Sequence, residues 1–155
     1  QLDNPKIAKV FKDWNEGELE SYLIDITSKI FTTKDPKTDA YLVDMILDKA
    51  GQKGTGKWTV EEALNTGTDG SLLASAVFAR FISSIKEERV EASEQITIDM
   101  QKPEVDENFI EDVRRALYAS KIIAYAQGFD LMKNAAEAYG WQLDFQEIAK
   151  ALWVN

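Results

Sequence analysis

Apolar side chains recur along this chain at spacings of three and four, and that period restricts it to packed amphipathic helices. Leu19, Tyr22, Leu23, Ile26 and Ile30 show it most cleanly, at offsets of 3, 4, 7 and 11 on one helical face. Upstream, Pro5 suits a first helical turn, and Ile7, Val10, Phe11 and Trp14 follow before Gly17 ends the run. Thr32 to Asp39 reads as a polar loop. Tyr41 to Ala50 predicts another helix, terminated by Gly51. A short buried strand competes over Tyr41 to Leu47, because short apolar runs carry no decisive period.

Thr59-Val-Glu-Glu62 has the form of a capping box and predicts a helix that starts there and ends near Gly67. A longer helix is expected from Ser71 to Gln95, its apolar face built from Leu72, Ala76, Phe78, Phe81, Ile82 and Ile85. Thr97 to Pro103 is a polar break. Asp106 then caps a helix whose stripe holds Phe109, Val113, Leu117, Ile122, Tyr125, Phe129 and Met132 and runs to Gly140. Its length predicts a central place in a bundle or a kink near Gly128. Asp144-Phe-Gln-Glu147 opens a last helix, and Leu152, Trp153 and Val154 suggest packing partners beyond the segment. The expected fold is all-α, a multi-helix bundle-like domain over residues 1–155.

The inventory narrows the chemistry. There is no cysteine and no histidine. A Ser-His-Asp triad, a Cys-His pair and a zinc hydrolase site are thereby excluded, and no metal site is expected. With 27 acidic against 18 basic side chains, the net charge of −9 suits no nucleic-acid partner. No apolar run approaches the roughly 20 residues that span a membrane, so no membrane partner is expected.

One loop carries information. In Gly51-Gln-Lys-Gly-Thr-Gly-Lys-Trp58, the residues Gly51, Gly56 and Lys57 match the glycines and lysine of a phosphate-binding P-loop. The following position should be a Mg²⁺-binding hydroxyl and is Trp58 instead. The physical logic of anion binding survives the failed match. Glycines let backbone N–H groups approach an anion, a helix N-terminus follows, and Lys53, Lys57 and Thr55 add charge and a hydroxyl. The competing reading is a plain connector with two solvated lysines. Arg80 stands inside the apolar run Ala74 to Ile82 and needs a partner there, either an anion held bidentately or an internal carboxylate.

At these residues the chain resembles the 6-phosphogluconate dehydrogenase family. The loop Gln52 to Thr59 is similar to that family's signature loop, as are Ala76-Val-Phe-Ala-Arg80, Ile82-Ser-Ser and Lys86-Glu-Glu-Arg89. Trp14-Asn15, Glu18-Leu19 and Tyr22 to Thr27 match upstream; Arg114 to Tyr118 and Lys121 to Phe129 match downstream. The resemblance runs from about Pro5 to Lys150.

It implies an oxidoreductase of the pentose phosphate pathway that uses NADP to oxidise and decarboxylate 6-phosphogluconate to ribulose 5-phosphate. It also implies a homodimer and a cytoplasmic setting, with a plastid or other organelle left open. Lys53, Thr55 and Arg80 are implied as contacts to the substrate phosphate, while Lys57 and Trp58 are given structural roles. The family's catalytic lysine and glutamate lie upstream of the matching stretch, so no catalytic and no cofactor-binding residue is expected here. The segment is expected to be a truncated C-terminal substrate-binding and dimerisation domain, lacking the N-terminal NADP-binding Rossmann domain and inactive alone. The family usually follows the tryptophan matching Trp153 with Arg-Gly-Gly, and here Val154 and Asn155 stand in that place. The alternative is a catalytically inactive helical interaction or assembly domain on the same scaffold, with Lys53 and Arg80 pointing apart.

Overall fold

The computed structural model describes residues 2–51, 53–96, 106 and 108–153. Among these residues lie seven α-helices: α1 (Asn4–Trp14), α2 (Tyr22–Ile30), α3 (Thr55–Thr66), α4 (Ser71–Ser84), α5 (Lys86–Gln95), α6 (Phe109–Tyr139) and α7 (Phe145–Trp153). The fold is all-α, and the described residues form no strand beyond an isolated bridge between Lys34 and Tyr41. They divide into two compact units. The first comprises Gln1–Leu47 with Val105–Tyr118, and the second Asp48–Glu104 with Ala119–Asn155.

In the first unit α1 and α2 pack together. Asp3 caps α1 by accepting the Lys6 N–H at 2.9 Å, and Ser21 caps α2 by accepting the Ile24 N–H at 3.3 Å. Ala8 and Leu19 are buried there, and the Phe11 ring lies 5.2 Å from Trp14 and 6.4 Å from Phe31. The expected helix over Tyr41 to Ala50 does not form. Only a 3-10 turn, Leu42–Met45, appears, with Leu42, Met45, Ile46 and Leu47 all exposed. Nucleating a helix costs more than a short run recovers without a face to bury. The Asp35 carboxylate competes locally by accepting the Thr38 N–H and hydroxyl, and so shapes the turn that sets Tyr41 beside Lys34.

A charged network ties the start of α6 to this unit. Arg114 donates to Glu111 at 2.7 Å through two nitrogens and to Glu18 at 2.5 Å, and Arg115 donates to Glu111 at 2.8 Å. These hydrogen bonds, foremost those of Arg114, hold the Glu111 carboxyl at about 2, down from an ordinary 4.5. The folded value lies below the unfolded one. The contribution to stability is therefore fully present above pH 4.5 and is lost as pH falls towards 2. Denaturation midpoints of wild type and Glu111→Gln should differ at neutral pH, and that difference should shrink across this acid window.

The second unit departs from expectation at three places. α3 begins at Thr55, one turn before the predicted capping box, behind Gly54 at φ +99°. Thr59 does not cap: its hydroxyl donates back to the Thr55 carbonyl at 2.9 Å. A left-handed Gly67 closes the helix where predicted, with the Thr68 N–H reaching the Ala63 carbonyl at 2.8 Å. The single helix expected from Ser71 to Gln95 is broken at Ile85 into α4 and α5. Ser84 turns its hydroxyl to the Phe81 carbonyl, and Arg89 donates to the Ser83 carbonyl at 3.2 Å, so side chains take acceptors that a continuous helix would use.

Finally, α6 buries Gln127, Leu131, Ala135 and Ala136 in this unit, while Ile122 and Tyr125 of the predicted stripe are exposed, as are its residues Phe109, Val113 and Leu117 in the first unit. Asp144 caps α7 by accepting the Gln146 and Glu147 N–H groups at 3.0 and 3.1 Å. Leu152 is exposed, the Trp153 side chain and Val154 lie outside the described residues, and so does the predicted break from Thr97 to Pro103.

Candidate anion-binding site

Because α3 starts at Thr55, the glycine-rich segment is not a free connector ahead of a helix but the mouth of the helix itself. Gly54 supplies a backbone conformation that side chains with a Cβ rarely adopt, and it has no side chain to cap with. The first turn holds no acidic residue. Its leading N–H groups and the positive end of the helix dipole therefore face outward beside Thr55 and Gly56.

Opposite stands α4. Gly56 is the point of closest approach, since a Cβ there would lie 2.9 Å from the Val77 Cγ2. Arg80, one turn beyond Val77, brings its guanidinium to the Gly51 carbonyl and donates to it through one terminal nitrogen. Lys53, Thr55, Gly56, Val77 and Arg80 together line a pocket of about 260 Å³. All three residues singled out for the substrate phosphate thus meet at one depression.

No carboxylate among the described residues pairs with Lys53 or Arg80, so the internal salt bridge weighed for Arg80 is replaced by a neutral carbonyl. Lys57 points elsewhere and pairs with Glu61 one turn on, at 3.3 Å. Trp58 sets its ring against Gly54 and is otherwise 65% exposed. Two cations that pair with no described carboxylate, a hydroxyl and a helix N-terminus around one hollow have the chemistry of a receptor for a phosphate-like dianion. Among the described residues no group of three or more Asp and Glu side chains could hold a metal ion. A dinucleotide fingerprint needs a strand running into its glycine turn, and among the described residues no strand precedes this loop.

Sequence reasoning missed what positions α4. Its N-cap residue, Gly70, offers no side chain, and Asp69 before it accepts only the first N–H, that of Ser71, at 3.0 Å. Gln127 of α6, only 7% exposed, accepts the Leu72 and Leu73 N–H groups at 3.1 and 3.4 Å. Its amide donates to Asp69 at 3.0 Å and to the Ser71 hydroxyl at 3.1 Å. The Asp69 carboxyl is held below its ordinary value, chiefly by the Ser71 N–H and hydroxyl and then by Gln127. The available signal was a lone amide four residues before Leu131 and eight before Ala135, on the face that proved buried. Gln127→Leu should strand these partners and cost about 1–3 kcal/mol, read as a lower urea midpoint.

The family model for the 6-phosphogluconate dehydrogenase C-terminal domain matches residues 1–155. Over 150 residues the chain is 53% identical to the decarboxylating 6-phosphogluconate dehydrogenase of Escherichia coli (strain K12), covering 96% of this chain and 32% of that protein. It is 55% identical to the NADP(+)-dependent decarboxylating enzyme of Bacillus subtilis (strain 168), with the same coverage of 96% and 32%. The solved Plasmodium falciparum 6-phosphogluconate dehydrogenase, studied apo, with its cofactor NADP+ and with its substrate 6-phosphogluconate, superposes with a TM-score of 0.87 at 47% identity. That match covers 96% of this chain and 32% of that one. The chain thus spans about a third of the length of the relatives it matches.

Proposed function

The chain belongs to the 6-phosphogluconate dehydrogenase family, matching its C-terminal domain, and from that premise we propose that it is the part of such an enzyme that grips the phosphate of 6-phosphogluconate. The observation that carries this reading is the shared pocket of Lys53, Thr55 and Arg80 at the start of α3. Lys53 and Arg80 supply two positive charges to a phosphate that carries close to two negative ones at neutral pH. The Thr55 hydroxyl and the first-turn N–H groups orient it. Arg80 keeps part of its fork for the anion while one nitrogen holds the Gly51 carbonyl.

The phosphate sits at the opposite end of the sugar acid from the reacting carbons. Binding energy collected there fixes the distant carbon for oxidation and decarboxylation by residues outside this segment. NADP supplies the hydride acceptor in the whole enzyme. The role proposed for this segment involves no step through NADP. A homodimer of the full-length protein belongs to the same proposal. The reading of an inactive assembly domain required Lys53 and Arg80 to point apart, and their common pocket favours the phosphate reading instead.

The direct test is a crystal of the full-length protein soaked with 6-phosphogluconate. One phosphate within hydrogen-bond distance of Lys53 Nζ, Thr55 Oγ1 and an Arg80 nitrogen is the expected result. A phosphate bound elsewhere, with this pocket empty, overturns the assignment.

A further inference from the structure

The segment that delivers Lys53 to its pocket has no regular structure of its own. Residues 46–51 lie in neither helix nor strand. What holds them is a set of side chains from the junction of α4 and α5. Ser83 Oγ accepts the Ala50 N–H at 3.0 Å. The Lys49 ammonium lies 3.2 Å from the Glu87 carboxylate. Arg89 does most: Nη1 donates to the Asp48 carboxylate at 3.2 Å, and Nη2 donates to the Asp48 carbonyl at 2.9 Å and the Ser83 carbonyl at 3.2 Å.

We propose that Arg89 is a positioning residue for the phosphate site, clasping the segment that leads to Lys53 onto the end of the helix that carries Arg80. This rests on the phosphate reading above. The placement makes the clasp effective. Ser83 lies three residues, one helical turn, beyond Arg80, and Asp48 lies five residues before Lys53. The Ser83 carbonyl is also one of the orphan acceptors that the break at Ile85 leaves at the end of α4. A single guanidinium therefore satisfies a helix end and two groups of the loop at once.

Two details separate this role from an ordinary surface ion pair. The Asp48 side chain is 71% exposed, so its charge contributes little. The contacts are divided between two terminal nitrogens, Nη1 to the Asp48 carboxylate and Nη2 to both carbonyls, a spread that the planar fork supplies and a single ammonium does not. In addition, Arg89 Nε is buried without a hydrogen-bond partner, an arrangement with a desolvation cost that the other contacts must offset.

The experiment measures kcat/KM for 6-phosphogluconate and for unphosphorylated gluconate in the full-length enzyme. The variants are Arg89→Met, Arg89→Lys and Asp48→Asn, with Arg80→Met run in parallel. Misplacing a binding group by about 1 Å can cost on the order of 100-fold. Arg89→Met is expected to lower kcat/KM for 6-phosphogluconate by roughly 10-fold or more and to leave gluconate unchanged. Arg89→Lys, which keeps stem and charge but loses the fork, should not restore the preference. Asp48→Asn should stay within about 3-fold of wild type.

Equal losses on both substrates, or none, overturn the proposal. If Arg89→Met fails to fold, the lysine variant carries the test by the same ratio. Should Arg80→Met also leave the ratio untouched, the phosphate reading itself has failed; if it collapses the ratio while both Arg89 variants preserve it, only the clasp has.

Discussion

Replacing Arg80 by methionine in the full-length enzyme is expected to reduce kcat/KM for 6-phosphogluconate by about 100-fold. Hydrogen bonds to charged groups contribute about 1.5–3 kcal/mol each, and about 1.4 kcal/mol is a factor of ten. Two such bonds from one guanidinium to one phosphate reach the predicted loss. Gluconate, which lacks the phosphate, should be turned over as slowly by the variant as by wild type. Arg80→Lys should fall between, because it keeps the charge and loses the fork.

Stability gives the control. Arg80 is exposed, and among the described residues its hydrogen bond is to the Gly51 carbonyl, so unfolding should shift by less than roughly 1 kcal/mol. A variant that folds and still discriminates between the two substrates would remove Arg80 from the site. Lys53→Ala should act in the same direction with a smaller effect, since an ammonium on a flexible stem holds a phosphate as a point charge.

The candidate site stood out in the sequence because its chemistry would be carried by rare choices of residue. Yet three glycines with two lysines before a helix also fit a plain connector, and an arginine within an apolar run also fits an internal ion pair. Their convergence was not legible from spacing, since Lys53 and Arg80 stand 27 positions apart. It came from the resemblance, and then from the contact of Gly56 with Val77.

Helix ends were less secure. The Thr59 box had the right residue types, yet the positive φ open to Gly54 let the helix begin a turn earlier and turned Thr59 into an interior residue. The break at Ile85 was invisible because Ser83 and Ser84 take helix propensity almost as readily as their neighbours. The break is favoured by the Ser84 hydroxyl on the Phe81 carbonyl and by Arg89, whose other acceptor lies 41 residues away at Asp48. Periodicity also says which face of α6 is apolar and not which neighbour covers it. Gln127, Leu131 and Ala135 proved to be the buried row, and the more apolar stripe from Phe109 to Tyr125 is exposed.

Gly56→Ala should damage the site without removing any group that touches the phosphate. The added Cβ would meet the Val77 Cγ2 at 2.9 Å, closer than such atoms pack. Valine cannot turn aside cheaply, because a β-branched side chain in a helix is held to one main χ1 rotamer. The start of α3 must therefore move away from α4, and Lys53 and Thr55 move with it, away from Arg80. Overpacking of this kind costs about 1–3 kcal/mol, part of it offset by the better helix propensity of alanine. The loss in kcat/KM for 6-phosphogluconate should be larger than stability alone suggests, roughly 10- to 100-fold.

Two further variants make the cause separable. Gly51→Ala should have little effect, since a Cβ there meets nothing within 4 Å and the carbonyl used by Arg80 is retained. Gly56→Ala with Val77→Ala removes the colliding methyl, and the double variant should recover most of the lost activity, a coupling that independent sites do not show. If Val77→Ala gives no rescue, the distance between α3 and α4 is not what sets phosphate affinity, and Gly56 acts through the conformation of the loop instead.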